Sequence, residues 1–209
     1  MTIFKINTYR LVCFIYYYYF YAVKHSEIKD RIIETASSLF YKNGYNSTGI
    51  NEIISESGIA KATLYSHFRS KDDICLAYLQ FKNTTFLEEI EAYTTSKKHG
   101  NTQVLALFDF LYQFFQHQDF NGCWCIKTAA EIPFDDQKIG NEIRKLKNDF
   151  ISLIEKLIIH NLKITKKKKI DSLARKIYLL YESAVSESHI HKEEWPIIEA
   201  KKLCSQIIS

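Results

Sequence analysis

Helix breakers are scarce in this chain, with two Pro and six Gly among 209 residues. Sheet-rich folds need such residues at their many turns, so long helices are favoured over a sandwich or barrel. Cysteine is sparse as well: the five Cys are odd in number and lack a disulfide-framework spacing. Reduced thiols in a cytoplasmic protein are the expectation. No apolar run is long enough to cross a bilayer, so no membrane partner is expected. Also missing are a Walker loop, a Gly-rich dinucleotide turn, a Cys-x-x-Cys pair and a His-Glu-x-x-His run. Neither a catalytic constellation nor a metal site nor a cofactor is expected, and the chain does not read as an enzyme.

What is present points to a folded protein. The composition is 46% hydrophobic and 25% charged, enough apolar material for one or two small cores and too much for disorder. A formal net charge of +4 and a pI near 8.6 are mildly basic, compatible with a polyanionic partner but not diagnostic of one.

The informative stretch is Thr48 to Phe68. Ile50, Ile53 and Ile54 recur at helical spacing, Thr48 stands at an N-cap position, and Gly58 lies just past the last turn, where a left-handed residue is needed. The next segment, Lys61 to Phe68, buries Leu64 and Phe68 and leaves Lys61, Thr63, Tyr65 and His67 outward. Two helices around a glycine turn, the second with donors on its free face, match the helix-turn-helix, whose second helix enters the major groove. The sequence reads as a binder of double-stranded DNA.

The run Gly58-Ile59-Ala60-Lys61-Ala62-Thr63-Leu64-Tyr65-Ser66-His67-Phe68, followed by Arg69-Ser70-Lys71-Asp72-Asp73-Ile74, resembles the signature of the tetracycline-repressor (TetR/AcrR) family. The likeness covers about Ser26 to Leu79. It implies an all-α fold with a three-helix head over residues 25–72, a linking helix to about 93, and a larger helical ligand-binding and dimerisation domain over 94–209. It also implies a homodimeric transcriptional regulator, usually a repressor released from a near-palindromic operator by a small-molecule effector. The resemblance turns Lys61, Ala62, Thr63 and Tyr65 toward the groove. Their chemistry fits: Lys61 reaches guanine O6 and N7, and the Ala62 and Thr63 methyls touch thymine. Tyr65, His67 and Lys71 suit phosphate contacts, and Thr48 at a helix N-terminus suits another. Ala60 takes the N-cap position of the second helix where the family often has Ser, so a cap worth about 1 kcal/mol is missing.

Around this stretch the periodicity is helical. Ile28, Ile32, Ile33, Ala36, Leu39 and Phe40 form one stripe from about Glu27 to Asn43, with Ser26 as cap and Gly44 as stop. Ser70 and Asp73 form a capping box for a long helix carrying Ile74, Ala77, Tyr78 and Phe81 on one side. Upstream, residues 1–24 are an atypical aromatic extension, too short to span a bilayer and without a signal-cleavage pattern. Two readings of it stand: an arm that is disordered or touches a membrane surface, or a start assigned upstream of the true one near Val23.

Beyond residue 94 the reading is coarser. Thr94 to Thr102 is a polar loop, and Val104 to Phe115 is a buried helix. A helix opening at Gly122 carries Cys123 and Cys125 and ends at Pro133. Residues two apart on a helix project about 200° apart, so this pair is expected neither to chelate an ion nor to form a disulfide without unwinding. Buried structural thiols are favoured, with a thiol-based sensor of oxidants or electrophiles using Cys123 or Cys125 as the alternative function. His189 and His191 face the same geometric obstacle and read as solvent-exposed.

Ile143, Leu146, Phe150, Leu153 and Leu157 repeat at 3-4-3-4 spacing, as do Ile170, Leu173, Ile177, Leu180 and Ala184. A four-helix dimer interface built from these two seams is expected, with their consumption inside one subunit as the alternative. Between them, Lys166 to Lys169 reads as a solvated loop, and Trp195-Pro196 starts a last helix to about Ile207. Candidate walls for an effector cavity are Phe81, Phe108, Tyr112, Phe115, Trp124, Tyr178 and Tyr181, with Lys127 and Glu182 as its polar groups. An aromatic lining favours a hydrophobic or planar effector. Operator sequence, effector identity and the choice between repression and activation are not legible in the chain.

Overall fold

The computed structural model describes residues 27–133 and 135–209, and the expectations for the N-terminal extension and the Ser26 cap fall outside them. Among the described residues there are nine α-helices and no strand. They are α1 (27–43), α2 (Ile50–Ser57), α3 (Lys61–His67), α4 (Lys71–Thr95), α5 (Asn101–Phe115), α6 (Trp124–Glu131), α7 (Gln137–Asn161), α8 (Lys167–His191) and α9 (Trp195–Ile207). None of the described helices is long and apolar enough to cross a membrane.

The first three helices fold around Ile32, Ala36, Phe40, Ile53, Leu64 and Phe68, all buried. Gly58 adopts the left-handed conformation (φ 63°, ψ 36°) and ends α2, letting the chain turn sharply into α3. The cap of α2 is Gly49, not Thr48. Gly49 N–H donates to the Glu52 carboxylate at 3.3 Å, while the Thr48 hydroxyl points back to the Gly44 carbonyl at 2.8 Å. Ala60 precedes α3 with no side-chain cap. Ser70 caps α4, its hydroxyl accepting from Asp73 N–H at 3.1 Å.

The apolar core of the head does not stop at its third helix. Ile74, Cys75, Tyr78 and Leu79 of α4 join it, as do Trp124 and Cys125 of α6 and Ile139, Ile143 and Leu146 of α7. A second cluster, built from α4, α5, α7, α8 and α9, fills the remainder, and Phe86 and Cys123 pack against both. The head is thus continuous in packing with the elements that carry the thiols.

Several expectations are corrected by this packing. The long linking helix runs to Thr95 and the loop shortens, since α5 already starts at Asn101. Lys167 to Lys169 form the first turn of α8, where Lys167 pairs with Asp171 at 2.7 Å and Glu155 at 3.2 Å. The two heptad-like seams are consumed within the chain. Ile143, Leu146, Phe150, Leu153 and Leu157 are buried, as are Ile170, Leu173, Ile177 and Ala184, because α7 packs on α4, α5 and α8 and α8 packs on α9. Leu180 is half-buried at the edge of the same core. The apolar side chains left outward on α8 and α9 are different ones: Leu179 (64% exposed), Ile190 (68%), Trp195, Ile198, Leu203 and Ile207.

Candidate DNA-reading surface and regulatory pocket

α3 presents a free face because its other face is anchored. Leu64 is fully buried and Phe68 nearly so, which fixes the rotation of the helix and leaves Lys61, Ala62 and Tyr65 exposed, with Thr63 and His67 at the margins. Lys71, half-buried, sits with its ammonium 4.4 Å from the Tyr45 ring centroid, a cation–π contact that holds the charge beside the head surface. Thr48 does not belong to this surface: it is fully buried, and its hydroxyl is committed to Gly44. The remaining six sequence-chosen residues lie on the head surface or at its edge.

The second feature is a pocket between α4, α5, α6, α7 and α8. Its walls include Asn83, Phe86, Leu111, Phe114, Phe150 and Tyr181, and its floor is the start of α6 with Cys123, Trp124 and Cys125. The void is only about 30 Å³, room for about two waters. Lys147 and Glu182 enter it as an ion pair of 2.6 Å. Lys147 also donates to Cys123 Sγ at 3.0 Å. Burial works against the Lys147 charge, but the Cys123 and Glu182 charges outweigh it and raise its pKa.

Cys123 is not on the helix; it is the extended N-cap residue (φ −82°, ψ 116°), and α6 begins only at Trp124. The expectation that both thiols stand on one helix therefore fails for Cys123, while both cysteines are free thiols. The neighbouring Cys125 thiol, with Lys147 adding to its effect against that of burial, draws the Cys123 thiol below its ordinary pKa. Cys123 in turn, with burial adding to its effect, pushes Cys125 up.

Of the expected pocket residues, Trp124, Tyr181 and Glu182 line it. The others do not. Phe81 is 40% exposed on an outer groove beside Phe86, Phe110 and Trp124. Phe108 is fully buried and, with Tyr112, faces α9; the Tyr112 hydroxyl donates to Glu194 at 2.6 Å. Phe115 packs edge-on against Phe120, and Tyr178 sits edge-on against Phe150, behind the pocket wall. Lys127 turns away to donate to the Tyr41 carbonyl at 2.7 Å. Periodicity alone did not single out Lys147, although it carried a signal: residue 147 lies four after Ile143 and three before Phe150, a lysine inside an apolar stripe.

Head and pocket are tied by the residues flanking α6. The Tyr41 hydroxyl, near the end of α1, donates to the Gly122 carbonyl at 2.9 Å and accepts from Asn121 N–H at 2.8 Å. The Asn121 side chain donates to the Tyr41 carbonyl at 2.7 Å. At the other end of α6, the Glu131 carboxylate accepts from Asn46 N–H at 2.6 Å, and the Glu131 carbonyl accepts from the Asn46 side chain at 2.8 Å. Gly122 is left-handed (φ 74°), and a Cβ there would come within 3.1 Å of the His189 ring. The turn before Cys123 therefore requires glycine.

The sequence model described as bacterial regulatory proteins, tetR family, matches residues 32–78, which are the helices just described. The head of the chain matches the TetR family. Among curated TetR-family relatives, the transcriptional regulator QacR of Staphylococcus aureus is 39% identical over 129 residues, covering 59% of this chain and 65% of QacR. The transcriptional repressor NemR of Escherichia coli is 26% identical over 113 residues, covering 52% of this chain and 57% of NemR. The chain thus spans less than two thirds of either relative. The likeness in fold reaches further than the likeness in sequence. A TetR-family regulator from Streptomyces coelicolor superposes with a TM-score of 0.77 at 22% identity, over 88% of this chain and 90% of that one. The reduced form of E. coli NemR gives 0.77 at 21% identity, over 88% and 97%.

Proposed function

We propose that this TetR-family chain is a cytoplasmic transcriptional regulator that binds a near-palindromic DNA operator as a homodimer and represses from it. The observation that carries the reading is the orientation of α3: Leu64 and Phe68 lock it into the head, and Lys61, Ala62 and Tyr65 stay free. A helix held this way reaches base edges with its N-terminal residues while its flanks meet phosphate. Thr63, His67 and Lys71 complete the contact, His67 and Lys71 on the backbone side. Two copies of α3, one DNA turn apart, require a dimer, and the exposed Leu179, Ile190, Leu203 and Ile207 supply an apolar face on α8 and α9 for it.

Release follows from the pocket. Binding sites for drug-sized ligands are typically about 300–1,000 Å³, so an effector of that size must push the rings of Phe86, Trp124 and Phe150 apart. Trp124 also holds a buried indole N–H with no acceptor among the described residues, which favours an effector that brings an acceptor oxygen. Displacing α6 moves the residues that hold Tyr41 and Asn46, and an effector bound more tightly to the displaced form lowers DNA affinity.

Selection of duplexes from a random library by the purified chain, at two salt concentrations, tests the reading. Enrichment of one near-palindromic motif at both salts is expected. Uniform retention of all duplexes, lost at the higher salt, would remove it.

A further inference from the structure

Beside the buried pocket runs an outer groove between α4, α5 and α6. Its walls include Phe81, Phe110 and Phe114, with Lys82, Thr85 and Glu89 as its polar groups. Phe86, Phe114 and Trp124 line both the groove and the pocket. We propose that the two are compartments of one site for a small aromatic carboxylate, whose ring lies among the shared aromatic side chains while its oxygens take Lys82 and the Trp124 indole N–H. Its effect on DNA rests on the regulator reading above.

Lys82 argues for an anion. Its half-buried ammonium lies 4.6 Å from the Tyr41 ring centroid and 5.8 Å from that of Trp124. Among the described residues no carboxylate forms an ion pair with it; burial pulls its pKa down, against the weaker, more distant pull of Glu89 and Asp119. The other lysines beside α6 are committed, Lys147 to Glu182 at 2.6 Å and Lys127 to the Tyr41 carbonyl at 2.7 Å. A cation half out of water and without a counter-charge is steadied by an incoming carboxylate. A cationic ligand would instead meet like charge, since the protein's own ammonium already stands over these rings. Glu89 is exposed and two turns of α4 away, about 10 Å, so water and salt screen its attraction for a cation.

Trp124 and the size of the voids point the same way. The indole N–H is buried with no acceptor among the described residues, a cost that a ligand oxygen removes. Two oxygens of one carboxylate, each in a hydrogen bond of about 2.9 Å, reach a lysine and an indole set this far apart. The outer void is about 90 Å³ and the inner about 30 Å³, and the Phe86 ring is a wall of both. Rotation of that ring joins them into a space approaching the roughly 150 Å³ that holds a benzene ring. The solvent side of the groove, where Phe81 is 40% exposed, leaves room for the carboxylate. Lys82 follows the head-core residues Tyr78 and Leu79 on α4 and rests on Tyr41, whose hydroxyl holds Gly122. Drawing the ammonium toward a bound anion loosens that contact between the head and α6.

Trp124 and Trp195 are the two tryptophans of the chain, so Trp195→Phe leaves Trp124 as sole reporter. Benzoate, benzamide and benzamidine carry the same ring with an anionic, a neutral and a cationic group. Titrated into the full-length Trp195→Phe protein, benzoate is expected to change Trp124 emission saturably with a Kd of about 1 mM or tighter, within reach of so small a ligand. Benzamide is expected to bind about tenfold more weakly, the size of one charge-assisted hydrogen bond, and benzamidine more weakly still. Lys82→Met in the same background is expected to lose the preference for benzoate over benzamide, and Lys82→Arg to keep it. On the selected duplex, saturating benzoate is expected to weaken binding by the native chain about tenfold, a normal size for coupling between sites. No saturable benzoate binding, equal affinity for benzoate and benzamide, or a preference for benzamidine would each overturn the site, whether or not Lys82→Met folds. A folded Lys82→Met that keeps the preference would overturn the role of Lys82, and unchanged duplex affinity at saturating benzoate would overturn the effector role. Protein that prefers no duplex would defeat the DNA-binding reading, while the carboxylate site is judged by the emission alone.

Discussion

The Tyr41 hydroxyl donates to the Gly122 carbonyl at 2.9 Å, joining α1 of the head to the residue before Cys123. Burial pushes the Tyr41 phenol up to about 12, so it stays a neutral donor across the physiological range. One hydrogen-bonded residue thus touches both halves of the proposed mechanism.

Tyr41→Phe leaves the Gly122 carbonyl without its donor and the Asn121 N–H without its acceptor. A loss of about 1–3 kcal/mol in unfolding free energy is expected, together with a smaller fall in DNA affinity when the pocket is occupied. Urea melts and paired duplex titrations check both effects. An unchanged response to pocket chemistry would mean that the link runs elsewhere.

Lys147→Met isolates Glu182 in a pocket where the pair is only 16–20% exposed, and a cost of roughly 3 kcal/mol is expected. The variant also raises the Cys123 pKa. In the native chain that pKa lies below the ordinary 9.0, so the thiolate favours the folded state. This contribution is fully present above pH 9.0 and is lost as pH falls through the lowered value. Iodoacetamide rate against pH is expected to show a Cys123 inflection below 9.0 in the native chain, moved upward in the variant.

Ala60→Ser supplies the side-chain cap that α3 lacks. A gain of about 1 kcal/mol is expected, read as a raised urea midpoint with unchanged slope.

Leu179→Glu combined with Ile190→Glu places charge on the outward face of α8, away from the monomer core. Sedimentation is expected to give a monomer with an unchanged helical spectrum. A variant that remains dimeric would move the subunit contact to another surface.

The head was legible because its signals are local. Gly58, Ser70, Leu64 and Phe68 act through caps and a short stripe, and each behaves as its spacing requires. Thr48 was misjudged by one position, since glycine also caps helices and the Glu52 carboxylate satisfies Gly49 from within the helix. The pocket was less legible because it depends on which faces of α4 to α8 meet. An aromatic stripe cannot distinguish the wall of a cavity from the far side of the same helix, as Phe108 and Tyr178 illustrate. The seam on α7 and α8 had the correct period and the wrong partner: α4, α5 and α9 occupy the faces that a second subunit was expected to cover. Cys123 was misplaced by one residue, since it caps α6 where the reading put it on the helix.

The measurement closest to the central claim is fluorescence anisotropy of the selected duplex and a scrambled one, titrated with the native chain, Lys61→Ala and Tyr65→Ala. The native chain is expected to prefer the selected duplex. Each substitution is expected to weaken it by about 1–3 kcal/mol, with Lys61→Ala also relaxing base preference and neither changing thermal stability, since both side chains are exposed. Equal affinity of all three proteins for both duplexes would contradict the claim that the free face of α3 reads DNA.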